Sequence, residues 1–180
     1  MSELSRKLWR VLYAGTAKLL PQSTYCPSAR ALRGFFARRI CASAGKGINV
    51  ERGATFAAPV TIGDRSGIGV NCELHGEVHI GDDVMMAPEC CFYTRNHRTD
   101  RLDVPMGQQG ETDPAPITIG NDVWIGRRAM FMPGVEVGDH CIVAAGAVVT
   151  KSFPPYSVLG GVPIVLSTGK CSPCDRIAAC

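Results

Sequence analysis

The chain has 180 residues, among them 20 glycines, 12 prolines and 9 cysteines, with only 7% aromatics. An apolar fraction of 46% excludes disordered and collagen-like chains, and no apolar run approaches the ~18 residues of a membrane-spanning helix. The net charge of +3 is unevenly placed: residues 1–46 carry nine Lys/Arg against Glu3, hence +8, which leaves ten basic and fifteen acidic side chains, or −5, over residues 47–180.

At the N-terminus, the apolar core and small-residue cleavage site of a signal peptide are missing, so the cytoplasm is the expected compartment. Residues 3–20 place Leu4, Leu8, Val11, Leu12, Leu19 and Leu20 at mixed three- and four-residue spacing, which predicts an amphipathic helix ended by Pro21. A second helix is expected over about 28–42, with Leu32, Phe35, Phe36 and Ile40. Residues 1–45 thus form a basic helical arm. Two roles suit it: a cap on the open end of the following domain, or peripheral contact with an anionic membrane at its inner face. No nucleic-acid partner is expected.

From Val50 the chain repeats with a period of six. Val50, Phe56, Ile62, Ile68, Leu74, Ile80, Met86 and Phe92 are large and apolar. The pattern breaks and resumes at Ile119, Ile125, Phe131, Val137, Val143 and Val149, which makes fourteen hexads. Four positions after the apolar residue stands a small or β-branched one, such as Ala54, Ser66, Cys72, Cys90, Ala129 or Cys141. Period six fits neither a helical face nor a plain strand. It fits short strands joined by tight turns, three to a triangular coil, with residues eighteen apart stacked. Glycine (Gly63, Gly69, Gly81), Asn and Asp are expected to serve the corner turns, where positive φ costs glycine little. Cys72, Cys90 and Cys141 then become small inward fillers.

The run Ile117-Thr-Ile-Gly-Asn-Asp-Val-Trp-Ile-Gly126, Pro133-Gly-Val-Glu-Val-Gly138, Ala144-Ala-Gly-Ala-Val-Val-Thr-Lys151 and Gly160-Gly-Val-Pro163 resembles the hexapeptide-repeat acyltransferases, in particular sugar O-acetyltransferases of the maltose and galactoside type. The resemblance covers about residues 45–163. It implies an all-β solenoid, a left-handed parallel β-helix over residues 46–166, with a tail at 167–180. It also implies a homotrimer that uses acetyl-CoA as acyl donor and a sugar or polysaccharide-precursor hydroxyl as acceptor, with no metal.

The break, residues 93–116, is charged and carries Pro105, Pro114 and Pro116. Long insertions of this kind are usually functional. His97 lies in it, and an imidazole suits removal of a hydroxyl proton. By resemblance His97 is the general base and Glu111 the carboxylate that orients it. Asn71 and Trp124 match residues near the acceptor. Arg127, Ala145, Thr150 and Lys151 match contacts to coenzyme A. Where relatives carry a basic residue after the Gly-x-Pro step, Pro163 is followed here by Ile-Val-Leu. A cysteine nucleophile at Cys90 or Cys91, and zinc at Cys171, Cys174 and Cys180, are weaker readings. Competing functions are an antibiotic or serine-type acetyltransferase on the same scaffold, and a non-catalytic hexapeptide-repeat scaffold protein.

Overall fold

The computed structural model describes residues 3–162 and the strand Val165–Ser167. The Cys171/Cys174/Cys180 tail and the Pro163–Ile164 step lie outside the described residues. The chain winds into a parallel β-solenoid of about six turns. Strands eighteen positions apart pair in register, as in Thr61–Ile62 with His79–Ile80. Three flat faces result, and we number them by the order in which the chain meets them. The first runs through Ser43–Ala44, Thr61–Ile62, Val78–Ile80, Ile117–Ile119 and Glu136–Val137. The second includes Asn49–Val50, Gly67–Ile68, Met85–Met86, Trp124–Ile125, Ile142–Val143 and Val158–Gly160. The third holds Thr55–Phe56, Glu73–His75, Cys91–Tyr93, Met130–Phe131 and Val148–Val149.

Every hexad residue named above is buried, and each strand shows its other side chain to the outside. Phe92 and Phe131 stack face to face, with ring centroids 4.4 Å apart. The small inward residues do more than fill space. Ser66 Oγ donates to Gly81 O (2.6 Å) and accepts from Val84 N (3.0 Å), joining one coil to the next. Cys72 and Cys141 do the same through sulfur, Cys72 to Ala87 O and from Cys90 N, Cys141 to Pro154 O and from Ser157 N. A hydroxyl or thiol at these positions satisfies corner carbonyls and amides that the strand ladder leaves over.

The corner glycines have a different cause from the expected one. Gly63, Gly69, Gly81, Gly120, Gly126 and Gly138 do not have positive φ. A Cβ on Gly63 would lie 2.4 Å from the Gly81 carbonyl carbon, and on Gly126 2.5 Å from Ala145 N. These residues are glycine because successive coils touch there. The left-handed corner positions are instead held largely by polar and charged residues: Arg65, Asp83, Asp122 and His140 at the first corner, Asn71, Glu89 and Arg128 at the second. Their strain, about 1–2 kcal/mol each, is reduced at most of them by pairing along the stack. Arg65 chelates Asp83, and His140 Nδ1 meets Asp122 (2.8 Å). At the first corner an Asx ladder also climbs the coils: Asp64, Asp82, Asn121 and Asp139 each accept the backbone N–H of the residue one coil below.

The final turn is shorter. Ile142 pairs with Val158, sixteen positions on, so Phe153 and Leu159 enter the core out of period. The larger departure is between Phe92 and Phe131, which pair thirty-nine positions apart. The excess is the insertion.

Two helices, α1 (Glu3–Gly15) and α2 (Pro27–Ile40), close the N-terminal end. The first is shorter than the leucine spacing predicts and is followed by a 3-10 turn, Ala17–Leu19. The contact with the coils is made by Tyr13, Ala17, Phe36, Ala37 and Ile40, with Tyr13 Oη donating to Ala54 O (2.8 Å). Leu4, Leu8, Val11, Leu12 and Leu19 are exposed. The capping face is therefore the aromatic one, not the leucine stripe. Arg33 is fully buried beneath it and donates to Val50 O, Leu20 O, Pro21 O and Ser23 Oγ, with Glu51 Oε2 at 3.6 Å. Arg33→Ala removes the donor to those buried acceptors and the cation beside Glu51, whose carboxylate keeps Ser23 N and Asn49 Nδ2. It is expected to lower stability by about 3–5 kcal/mol in urea titration, whereas exposed Arg30→Ala on the same helix changes it far less.

Candidate active site

The insertion leaves the third corner and is pinched at its base. Ala115 N donates to Thr94 O (2.9 Å), and buried Thr94 donates its hydroxyl to His75 O (3.0 Å). Above the pinch the chain forms a short antiparallel ribbon. Arg98 N donates to Gly110 O and Thr112 N to Asn96 O, so His97 and Glu111 face each other as the pair between those two bonds. In that arrangement side chains on one face lie closest. The tip is closed by Gln109, whose amide accepts from Arg101 N and donates to Arg101 O and Val104 O. Thr94, Gln109 and Thr112 were not singled out in the sequence. They act through backbone groups, and no motif marks them.

His97 is exposed, beside an open hollow of about 390 Å³ lined also by Arg98, Thr99, Asp100, Thr112 and Asp113. The Glu111 carboxylate is held by Arg95 (3.3 Å) rather than by the imidazole, and its backbone carbonyl accepts from Arg98 Nε (3.0 Å). The backbone thus sets His97 opposite Glu111, and Arg95 pairs with the Glu111 carboxylate.

The remaining predicted residues divide between two corners. Thr150 and Lys151 stand at the third corner, two coils above the start of the insertion, both exposed, with the Lys151 ammonium 5.6 Å from the Phe153 ring. Asn71, Arg127 and Ala145 stand at the second corner. Asn71 is exposed in a left-handed turn, and Gly146 N donates to Arg127 O, which puts Ala145 one coil above Arg127. Arg127 and its neighbour Arg128 both grip Glu89, and the Arg127 guanidinium leads in holding that carboxyl below the usual range. Trp124 lies on the second face between Met85 and Ile142, half-buried, and lines a shallow hollow of about 320 Å³ with Arg65, Gly67 and Ala87. One chain does not bring the two groups together.

The other histidines are engaged elsewhere: His75 with Glu73, His79 with Thr61 and Glu77, and His140 with Asp122. Cys90 is buried, and the Cys72 sulfur against it, with burial, pushes its thiol pKa up.

Two hexapeptide models match the chain: bacterial transferase hexapeptide (six repeats) over residues 116–151, and hexapeptide repeat of succinyl-transferase over residues 59–87. A galactoside O-acetyltransferase of Escherichia coli K12 is 42% identical over 86 residues, a stretch of 48% of this chain and 41% of that protein. The crystal structure of a hexapeptide-repeat-containing acetyltransferase from Vibrio cholerae superposes with a TM-score of 0.75 at 30% identity, covering 93% of both chains. The chain belongs to the hexapeptide-repeat acetyltransferase family. Its solenoid is the family's left-handed parallel β-helix. A galactoside acetyltransferase in complex with coenzyme A also superposes, with a TM-score of 0.75, 29% identity and coverage of 99% of this chain and 86% of that one.

As a hexapeptide-repeat protein with buried thiols on its repeat, the chain should keep Cys72, Cys90 and Cys141 unmodified by iodoacetamide while folded. Cys26, whose thiol pKa is lowered by the Ser28 hydroxyl, should react before them. Peptide mass spectrometry reads this directly, and alkylation of Cys90 in the folded chain would restore the cysteine-nucleophile reading.

Proposed function

We propose that the protein is an acetyl-CoA-dependent O-acetyltransferase that modifies a sugar hydroxyl, in capsular or exopolysaccharide synthesis or a related glycan modification. The observation that carries this reading is the His97–Glu111 pair, set opposite each other on a ribbon pinned to the solenoid. The coenzyme A complex of the superposing galactoside acetyltransferase supports the donor.

In this reading, His97 accepts the acceptor's hydroxyl proton as its oxygen attacks the thioester carbonyl carbon. The tetrahedral intermediate collapses and expels the coenzyme A thiolate, which takes the proton from the imidazolium. The products are an O-acetyl ester and free coenzyme A. Glu111 orients the imidazole and stabilises its cationic form once Arg95 releases the carboxylate. Thr150, Lys151, Ala145 and Arg127 receive the coenzyme, with the small Ala145 side chain leaving room for the pantetheine arm. Lys151 supplies a charge for phosphate, and Arg127 adds one by exchanging Glu89 for the coenzyme. Asn71 and Trp124 contact the acceptor.

The division of these residues between two corners supports a homotrimer in which the second corner of one copy meets the insertion of the next. The outward side chains support it too. On the second face they turn apolar toward the C-terminal coils, through Met85, Trp124, Ile142 and Val158, and on the third through Cys91, Met130 and Val148. The first face stays polar at Thr61, His79, Thr118 and Glu136. A head-to-tail contact that closes on itself buries such patches.

Thiol release from acetyl-CoA, measured across galactosides, maltose, nucleotide sugars and chloramphenicol, tests the class. Transfer to a sugar is expected, and transfer to chloramphenicol alone would make the protein an antibiotic acetyltransferase. His97→Ala should lower kcat by about 10²–10⁴, with acetyl-CoA affinity and circular dichroism unchanged. Near-full activity in that variant would contradict the mechanism. Glu111→Gln should lower kcat less.

A further inference from the structure

The N-terminal arm is two-faced. Its inner face, made by Trp9, Tyr13 and Ala17 of the first segment and Phe36, Ala37 and Ile40 of α2, closes the solenoid. Capping therefore accounts for the aromatic side of α1 and leaves its leucine stripe unused. Leu4, Leu8 and Val11, at helical spacing along the opposite side, are 79%, 60% and 69% exposed. Leu12 and Leu19 extend the stripe. Folding gives no reason for a row of large apolar side chains pointing into water.

The charges around the stripe indicate what covers it. Lys7, Arg10, Arg30, Arg38 and Arg39 are exposed on the same two helices, and the arm contains a single acid, Glu3. The Arg39 guanidinium lies 5.0 Å from the exposed Phe35 ring, so cation and apolar surface are presented together. The molecule is polar end to end, with +8 on residues 1–46 and −5 on the remainder. Arm to arm, a second copy offers the same positive charge and is repelled. An anionic lipid surface offers both an apolar interior for the leucines and phosphate charge for the arginines. Among the described residues no helix is long and apolar enough to cross a membrane.

We propose that α1 docks the protein on anionic phospholipid bilayers, inserting Leu4, Leu8, Val11 and Leu12 while Tyr13 and Trp9 hold it to the solenoid. This contact is independent of the chemistry at His97, and vesicle binding reads it without acetyl transfer.

The test is co-sedimentation of the full chain with phosphatidylcholine vesicles, with and without phosphatidylglycerol. Binding is expected only to the anionic vesicles and weakens as salt rises. Leu8→Gln/Val11→Gln, which leaves the capping contacts intact, should weaken it at least about tenfold. Arg10→Gln/Arg38→Gln should weaken it and flatten its salt dependence. The proposal is overturned if the chain ignores anionic vesicles or if both variants bind as the parent does. It also fails if Leu8→Gln/Val11→Gln instead shrinks the oligomer in light scattering, which would place the stripe between copies.

Discussion

Everything in this molecule follows from stacking residues eighteen apart at the spacing of adjacent strands, about 4.8 Å. A side chain that points inward must rest on its counterparts in the coils above and below. The stack therefore takes Ile, Val, Leu and stacked Phe at one position and small residues at the other. Where the corners of successive coils touch, backbone meets backbone and no Cβ fits, which makes Gly63, Gly81, Gly120 and Gly126 obligatory. Where a corner residue must turn left-handed, polar side chains are used instead, because pairing with the coil above compensates the strain, as Arg65 does with Asp83.

The same constraint decides where chemistry can reside. The interior is filled, and the strands are two or three residues long with one outward side chain each or little more. Reactive groups are left with the corners and with whatever chain escapes the repeat. Here the escape is the insertion, pinned by Thr94 and Ala115 so that its ribbon stands on a rigid base. The ribbon register then sets His97 opposite Glu111, whose carboxylate is paired with Arg95. The rest of the proposed site stands at another corner, beyond the reach of one chain's own insertion. In this view the solenoid is a jig that presents half of a site at each of two edges, and assembly joins the halves.

Much of this was legible because the repeat is strict. Each inward position from Val50 to Val149 could be read by counting, and the break in count located the insertion and His97. Phe153 and Leu159 escaped because the last turn runs sixteen residues instead of eighteen. The glycine positions are visible in the repeat but their cause is not, since a close approach between coils leaves no trace in one coil's sequence. The leucine stripe of α1 has the spacing of a core face, and spacing cannot say which side of a helix its neighbours choose. Arg33 escaped for a related reason. A long cation is seldom wholly buried, and its acceptors, in residues 20–23 and at Val50, meet it only in the folded cap. Asn71, Arg127 and His97 were each visible as residues, but their distribution over two corners exists only in the folded coil.

If the site is completed between copies, as proposed, mixing subunits that are each inactive restores activity. His97→Ala chains lack the proposed base, and chains with Asn71→Ala and Ala145→Trp lack the proposed acceptor amide and coenzyme groove. Each is expected to be inactive alone. Unfolded together in equal amounts and refolded, they should recover about a quarter of parental activity, the share of interfaces that pair an intact insertion with an intact second corner in a closed ring. Mixed assemblies that form but stay inactive would show that each chain builds its site alone.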